Sequence, residues 1–223
     1  LPFEVAEITA ETCDIFKDSI IGIHCHNDSG CAVANTVAAV QAGAEHVQGT
    51  YLGYGERCGN ANLSTIIPNL QIKLGYNCVP EKNLERFTRT ARWISEVANQ
   101  PLYRGMPYVG GSAFSHKAGM HIDAVTKESS SFEHVAPGSV GNERRFLMSE
   151  VAGRGTVLKK IQKIAPVLTK DSAETSEICK RVKQLEYEGY SFEAAEASFE
   201  LLVKEVLGEK KKYFDLNYFK TTV

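Results

Sequence analysis

The feature that most constrains the fold is a strand, a helix and a second strand that follow one another closely between residues 19 and 51. An apolar, β-branched run at residues 19–25 predicts the first strand, and residues 46–51 predict the second. Between them, valines recur at helical spacing over residues 33–40 until Gly43 ends the helix. Two strands joined in this way lie parallel in one sheet, and ligands collect at their carboxyl ends. The pattern therefore predicts an α/β fold with a binding site just beyond the two strands.

Two histidines at the end of the first strand are candidate metal ligands. Alternate side chains of a strand share a face, so His24 and His26 project to the same side. Neutral imidazole is a common ligand of divalent cations, and two imidazoles supply half of a four-coordinate site. A histidine pair on a strand is more often an ordinary polar pair. The metal interpretation therefore depends on a neighbouring carboxylate or carboxamide.

A glycine-rich loop follows the second strand and offers such a neighbour. It contains glycines, an acid, a base and a carboxamide ahead of a predicted helix. Glycine permits close approach of the backbone, and the free N–H groups of a helix N-terminus attract anions. Together with the histidine pair, the loop favours a catalytic site over a simple turn. The loop residues concerned are Gly53, Gly55, Glu56, Arg57, Gly59 and Asn60.

The segments HCHNDSGCAVANT and GYGERCGNANL resemble the 2-isopropylmalate, homocitrate and citramalate synthases, which are metal-dependent acyltransferases built on TIM barrels. The resemblance runs through essentially the whole chain. Three later segments are most similar to the citramalate synthase type: PYVGGSAFSHKAGMHIDAV, VGNERRFLMSEVAGR and LEYEGYSFEAAEASFELL. The resemblance implies condensation of acetyl-CoA with a 2-oxo acid and hydrolysis of the thioester, in branched-chain amino-acid biosynthesis. Pyruvate is the favoured acid, with 2-oxoisovalerate and 2-oxoglutarate as alternatives.

The resemblance also implies roles for particular residues. His24 and His26 match ligands of a divalent ion (Zn, Mn or Mg), and Asn60 lies at or near that ion. His121 matches a catalytic histidine, which in a homodimer is expected to act in the active site of the partner subunit. Glu56 is the other candidate base, and we favour His121 for proton transfer and Glu56 as an organiser of the loop. The loop that matches the acetyl-CoA-associated segment contains Gly53, Gly55, Glu56, Arg57 and Gly59.

One departure from the family pattern bears on the fold. The Leu-Arg-Asp-Gly motif, which carries an arginine for the keto acid and an aspartate metal ligand, does not occur in these 223 residues. We therefore expect a C-terminal fragment, the last part of a TIM (β/α)8 barrel followed by a mainly α-helical linker region. Alone it should lack synthase activity, hold metal poorly and self-associate. The expected segments are 1–78 (barrel portion with the metal and acetyl-CoA site), 79–160 (first linker subdomain, with His121), 161–209 (second, helical subdomain) and 210–223 (start of a regulatory domain).

Composition and motifs argue against several other classes. The net charge of −2 is not that of a nucleic-acid-binding protein. No apolar run is long enough to span a membrane, and six cysteines without a Cys-x-x-Cys pair indicate reduced thiols in a cytoplasmic protein. A biotin-dependent carboxyltransferase or a 4-hydroxy-2-oxovalerate aldolase would use a similar histidine pair, but neither explains the GYGERCGNANL segment. The alternative from another class is a non-catalytic linker and dimerisation piece.

The rest of the chain is predicted to be mainly helical. Residues 100–155 are rich in glycine and proline and are expected to form an ordered, irregular linker. Its candidates for chemistry are His116, Lys117, His121, Asp123 and His134. We expect Asn142, Glu143, Arg144 and Arg145 to pair with neighbouring acids in preference to binding an anion. The expected elements are helices at 1–16, 63–74 (kinked at Pro68), 81–99, 171–188 and 191–208 (capped by Ser191, forming a hairpin with the previous helix), and a strand at 213–223.

Overall fold

The chain folds into two compact units. The computed structural model describes residues 1–117, 119–146, 154–192 and 195–221. The first unit consists of Leu1–Ser115 with Ser129–Arg145, and the second of His116–Glu128 with Phe146–Val223. The four-segment division expected from the sequence stays a prediction.

The first unit contains a parallel strand pair and a series of helices. Its main elements are α1 (Pro2–Ile15), β1 (Gly22–His24), α2 (Ala32–Gln41), β2 (His46–Gln48), α3 (Leu63–Pro68), α4 (Glu81–Leu84) and α5 (Phe87–Val97). Short 3-10 turns lie at Tyr51–Gly53, Ser129–Ser131 and Pro137–Val140, and a π-helical turn lies at Asn69–Lys73. Two strands of two residues, β3 (Ser115–His116) and β4 (Arg145–Phe146), lie where the chain passes from one unit to the other and pair with each other.

The predicted parallel crossover is confirmed: β1 pairs with β2 in parallel, and α2 connects them. The register aligns Gly22 with His46 and His24 with Gln48. A Cβ atom on Gly22 would lie 3.2 Å from the imidazole of His46, so the glycine leaves room for that ring. Both strands are shorter than predicted, and a 3-10 turn at Tyr51 occupies the end of the second predicted strand. The carboxyl end of β1 carries His24, where the site was expected.

The helices that follow the strand pair fix the exit of the glycine-rich loop. The side chain of Asn62 accepts a hydrogen bond from the Ser64 N–H at 3.0 Å and caps α3. Ile66 on α3 is fully buried in an apolar cluster against which Val47 of β2 packs. Regular α-helical bonding ends at Pro68, as its missing N–H predicts, and the chain continues as the π-helical turn. Residue 62 is therefore held in place two positions after Asn60.

The described helices of the second unit are α6 (Gly119–Lys127), α7 (Arg154–Ile164), α8 (Ala173–Tyr187) and α9 (Glu196–Val206). The helices α8 and α9 pack on each other, which confirms the predicted hairpin, and α7 packs on both. None of the helices in the described ranges is long and apolar enough to cross a membrane. In the apolar cluster around α7, α8 and α9, four side chains are at most 1 % exposed: Ile161, Ile178, Phe199 and Val203.

Several predicted elements differ from the structure. The sequence predicts an irregular linker over residues 100–155, but α6 forms within it and carries His121. The helix predicted over residues 81–99 is interrupted between α4 and α5. Ser191 does not begin the last helix, whose N-cap is Ala195, because Phe192 turns into the core and is only 5 % exposed.

The strand predicted over residues 213–223 is wrong for the part that the structure describes, residues 213–221, which has no regular secondary structure. Aromatic composition favours a strand only where a neighbouring strand satisfies the backbone N–H and C=O groups. The large apolar side chains of this segment are between 67 % and 84 % exposed: Tyr213, Phe214, Leu216, Tyr218 and Phe219.

Replacing Leu202 by Ala is expected to lower the free energy of unfolding of the second unit by about 2–4 kcal/mol, because a buried leucine leaves a cavity. Leu202 is 7 % exposed, whereas Leu201 on the same helix is 52 % exposed. Leu201→Ala is therefore a matched control with an expected loss below about 1 kcal/mol. Urea denaturation monitored by circular dichroism measures both losses. Equal losses would contradict the orientation of α9.

Candidate metal and active site

The predicted histidine pair lies at the carboxyl end of β1. The ring centroids of His24 and His26 are 5.1 Å apart, and the ring planes are inclined by 70°. The two rings are therefore close neighbours, and a metal–nitrogen bond is about 2 Å long. The His24 side chain is exposed, whereas His26 is half-buried. The Nδ1 atom of His26 is buried and has no hydrogen-bond partner among the described residues.

Asn60 lies beside His26 because the glycine-rich loop returns antiparallel to the end of β1. His26 and Asn60 form an antiparallel bridge. On either side of it, the Asn27 N–H donates to the Gly59 carbonyl at 2.8 Å, and the Ala61 N–H donates to the Cys25 carbonyl at 2.9 Å. The structure thus brings together all three residues that the sequence predicts as metal ligands.

The carboxamide of Asn60 is held in one orientation. Its Nδ2 atom donates to the Tyr54 carbonyl at 2.9 Å. Its Oδ1 atom is buried and has no hydrogen-bond partner in the part of the chain that the structure describes. A buried acceptor without a partner is costly, so Oδ1 is available to a cation or a donor.

Two glycines allow the loop to close around Asn60. A Cβ atom on Gly55 would lie 2.2 Å from Asn60 Nδ2. Gly59 has a φ of +88°, and a Cβ atom there would lie 2.1 Å from the Gly53 carbonyl oxygen. The Asn60 N–H also donates to that carbonyl at 3.0 Å. The observed contacts of these glycines are within the loop, and their predicted role in acetyl-CoA binding stays a prediction.

The charged residues of the loop have different surroundings. The guanidinium of Arg57 donates to both carboxylate oxygens of Asp28, from Nε at 2.7 Å and from Nη2 at 3.1 Å. This pairing holds the pKa of the Asp28 carboxyl below its usual value. The Glu56 carboxylate lies 3.7 Å from Arg57 and its side chain is 87 % exposed. Sequence reasoning missed Asp28, because the sequence pattern does not show which charges of the two loop motifs meet.

His121 lies on α6 of the second unit with an exposed side chain. The histidine pair and Asn60 belong to the first unit, so the catalytic assignment of His121 stays a prediction. Asp123 on the same helix forms an exposed ion pair with Lys127 at 2.8 Å. The ring of His116 lies 6.4 Å from that of Phe146.

Two other residues singled out in the linker, His134 and Arg144, contact neighbouring side chains of the fold. The ring of His134 lies 5.1 Å from that of Tyr108, and burial together with the Lys73 ammonium lowers the pKa of His134. Arg144 donates to both carboxylate oxygens of Glu133 at 2.7 and 2.6 Å, and the Glu133 side chain is only 2 % exposed. The predicted pairing with an acid is therefore confirmed for Arg144.

The donor set fits part of a divalent metal site. Two imidazoles and one carboxamide oxygen suit a borderline ion such as Zn²⁺ or Mn²⁺. Within the described ranges, no three His, Cys, Asp or Glu residues are grouped so as to hold a metal. The set of His24, His26 and Asn60 therefore supplies three donors, of which only the two histidines are strong ligands.

Comparison with known families agrees with this geometry. Residues 1–94 match the HMGL-like family, and residues 108–189 match the homocitrate synthase post-HMGL domain-like family. The two matches define a protein in which an HMGL-like region that contains the site is followed by a post-HMGL region that contains His121.

Individual proteins of known name are similar to this chain over most or all of its length. The (R)-citramalate synthase of Aquifex aeolicus is 48 % identical over 100 % of this chain and 42 % of its own length. That of Synechocystis is 47 % identical over 96 % of this chain and 40 % of its own length. A probable 2-isopropylmalate synthase of Methanopyrus kandleri is 36 % identical over 82 % of this chain and 36 % of its own length. The chain belongs to the family of the 2-isopropylmalate, homocitrate and citramalate synthases and spans about two fifths of the length of these relatives.

Replacing Gly55 by Ala is expected to lower the free energy of unfolding of the first unit by about 1–3 kcal/mol, because the new methyl group would overlap the Asn60 carboxamide. Amide exchange at Asn60 should also accelerate. Gly138→Ala is a matched control, since a Cβ atom there meets nothing within 4 Å. Its expected change is within about 1 kcal/mol. Urea denaturation and amide exchange measured by NMR test both variants, and an unchanged Asn60 amide in Gly55→Ala would contradict the packing of the loop.

Proposed function

We propose that the polypeptide containing this chain is a divalent-metal-dependent acyltransferase that condenses acetyl-CoA with pyruvate to give citramalate. Five relatives named (R)-citramalate synthase are 42 % to 48 % identical over 95 % to 100 % of the chain, which supports this choice. The observation that carries the proposal is the bridge between His26 and Asn60 beside His24. It collects the proposed metal ligands at the carboxyl end of a parallel strand.

We further propose that β1 and β2 are neighbouring strands of a TIM (β/α)8 barrel followed by a helical linker region. Their parallel register and the α2 crossover support this, and the HMGL-like match covers both strands. TIM barrels hold their sites at the carboxyl ends of the strands, where His24 and the glycine-rich loop lie.

The metal role follows from the donors of the chain. His24 and His26 would hold the ion through imidazole nitrogens, and Asn60 would add Oδ1. When bound, the ion supplies a Lewis acid that polarises a keto group and stabilises its developing negative charge. The Tyr54 carbonyl fixes the Asn60 amide nitrogen, so that Oδ1 is the atom left to face the ion.

The remaining chemistry is proton transfer and hydrolysis. A base takes a proton from the methyl group of acetyl-CoA, and the resulting carbon forms a bond to the keto carbon of pyruvate. The alkoxide that results takes up a proton, and water cleaves the thioester to release free CoA and citramalate. We assign the proton transfer to His121 and the organisation of the loop to Glu56. The contact through which Glu56 would act on the loop is its 3.7 Å ion pair with Arg57.

The second candidate function is a 2-isopropylmalate synthase, the activity named for the Methanopyrus kandleri relative, whose 36 % identity is lower than that of the five citramalate synthases. The two functions differ in the 2-oxo acid. Thiol release from acetyl-CoA, measured with pyruvate, 2-oxoisovalerate and 2-oxoglutarate on the longest polypeptide that contains the chain, distinguishes them. The citramalate proposal expects the highest kcat/KM with pyruvate, and a higher value with 2-oxoisovalerate would favour the alternative.

Replacing His24 or His26 by Ala is expected to reduce turnover by about 100-fold or more, because each change removes a proposed metal ligand. The affinity for Co²⁺, measured from its visible absorption, should fall in parallel. His46→Ala is the matched control, because His46 lies on the neighbouring strand in register with Gly22. It should retain turnover and Co²⁺ affinity. Wild-type Co²⁺ affinity in His24→Ala would reject the metal assignment.

We also propose a cytoplasmic homodimer in which His121 acts in the site of the partner subunit. Mixing inactive His24→Ala and His121→Ala proteins under conditions of subunit exchange should then restore activity. Random exchange makes about half of the dimers mixed, and each mixed dimer has one intact site, so about a quarter of wild-type activity is expected. If His121 acts within its own subunit, no activity returns even though exchange is complete.

A further inference from the structure

Asp28 and Arg57 form an ion pair that joins the two loops of the candidate site. The residues are 29 positions apart in the sequence, and two nearly parallel hydrogen bonds of 2.7 and 3.1 Å connect them. The Asp28 side chain is 49 % exposed and that of Arg57 is 55 % exposed. A forked contact of this kind fixes both the distance and the angle between the two groups.

The ion pair joins the two chain segments directly next to the proposed metal ligands. Asp28 follows His26 by two residues, and Arg57 precedes Asn60 by three. Two backbone hydrogen bonds flank the bridge between these segments, from the Asn27 N–H to the Gly59 carbonyl at 2.8 Å and from the Ala61 N–H to the Cys25 carbonyl at 2.9 Å. The ion pair therefore reinforces a narrow connection on which the position of Asn60 beside His26 depends.

The backbone of Arg57 supports a dedicated role for its side chain. Its φ is +57°, in the left-handed region that residues other than glycine seldom adopt. Such a conformation persists where surrounding contacts hold it. The Gly59 N–H donates to the Glu56 carbonyl at 2.9 Å across Arg57, and the pair with Asp28 adds a side-chain contact to this turn.

We propose that Asp28 and Arg57 are a positioning pair that keeps Asn60 against His26 and thereby sets the affinity of the metal site. The second part rests on the proposed function, whereas the first part concerns this chain alone. The guanidinium of Arg57 is engaged by Asp28, so its main role is to hold the loop and not to bind the acetyl-CoA phosphates. Exposed ion pairs contribute little to global stability, so the effect is local.

The test uses Asp28→Asn, Arg57→Lys and the double variant in the longest polypeptide that contains the chain. Asp28→Asn removes the charge, and Arg57→Lys keeps the charge but removes the fork. Each single variant is expected to bind Co²⁺ about 3- to 10-fold more weakly, by analogy with outer-sphere changes at metal sites. The double variant should bind Co²⁺ as tightly as the single variant with the lower affinity, because the two residues form one contact and either change removes it. Asp28→Glu, which keeps the carboxylate, should recover most of the affinity.

Amide exchange gives a readout that does not depend on the metal. Without metal, the Asn27 and Ala61 N–H groups, whose bonds flank the bridge, should exchange faster in Asp28→Asn and Arg57→Lys than in the wild type. The midpoint of urea unfolding should stay unchanged, which separates local positioning from a general structural role. Asp18→Asn, a change at another exposed aspartate, is the control and should alter none of these quantities.

The outcomes are distinct. Unchanged amide exchange rates at Asn27 and Ala61 in both single variants overturn the positioning role. A double variant whose loss of Co²⁺ binding free energy equals the sum of the two single losses also overturns it. Faster exchange with unchanged Co²⁺ affinity overturns the link to the metal. If His24→Ala binds Co²⁺ as the wild type does, the metal assignment itself fails, and the exchange rates alone then decide whether the pair positions Asn60.

Discussion

The first unit depends on one contact between backbone segments, the antiparallel bridge that joins His26 to Asn60. A parallel strand pair ends at this point, and the connection after β2 must turn back to reach it. Only small residues permit so tight a return, which is why the loop has glycines where the Asn60 carboxamide and the Gly53 carbonyl approach. The cap on α3 and the ion pair between Asp28 and Arg57 hold the two ends of the same loop. The proposed metal site thus depends on the contact between the end of β1 and the glycine-rich loop.

Sequence periodicity predicted the elements whose structure is set by nearby residues. The crossover of β1, α2 and β2 was predictable because the strand-like and helix-like patterns occupy separate segments of the sequence. The histidine pair was predicted from the alternation of side chains along a strand. Asn60 was predictable from its motif. The contact between Asp28 and Arg57 was not, because periodicity carries no information about which distant charges meet. The same limit explains Ser191: its capping chemistry is suitable, but burial of Phe192 moves the helix start to Glu196.

The ion pairs of the chain differ in what they do. Glu133 is almost fully buried and accepts from two nitrogens of Arg144, so loss of Arg144 would remove two charge-assisted bonds from a buried carboxylate. The pair of Lys127 with Asp123 is exposed and has little energetic weight. The pair of Asp28 with Arg57 is also exposed, yet it joins two segments that are connected by the two backbone bonds flanking the bridge. Its importance follows from its location and not from its burial.

The orientation of Asn60 has a consequence for which side chain can occupy that position. Carboxylates bind divalent cations more strongly than carboxamides do, so aspartate would appear the better ligand. At residue 60, however, one branch of the side chain faces the Tyr54 carbonyl oxygen at 2.9 Å, and only a donor is tolerated there. An aspartate would set two oxygen acceptors against each other and would turn away from the histidines. The main-chain carbonyl of residue 54 thus favours a neutral amide at position 60. An amide is a weaker metal ligand than a carboxylate, but its orientation here is fixed.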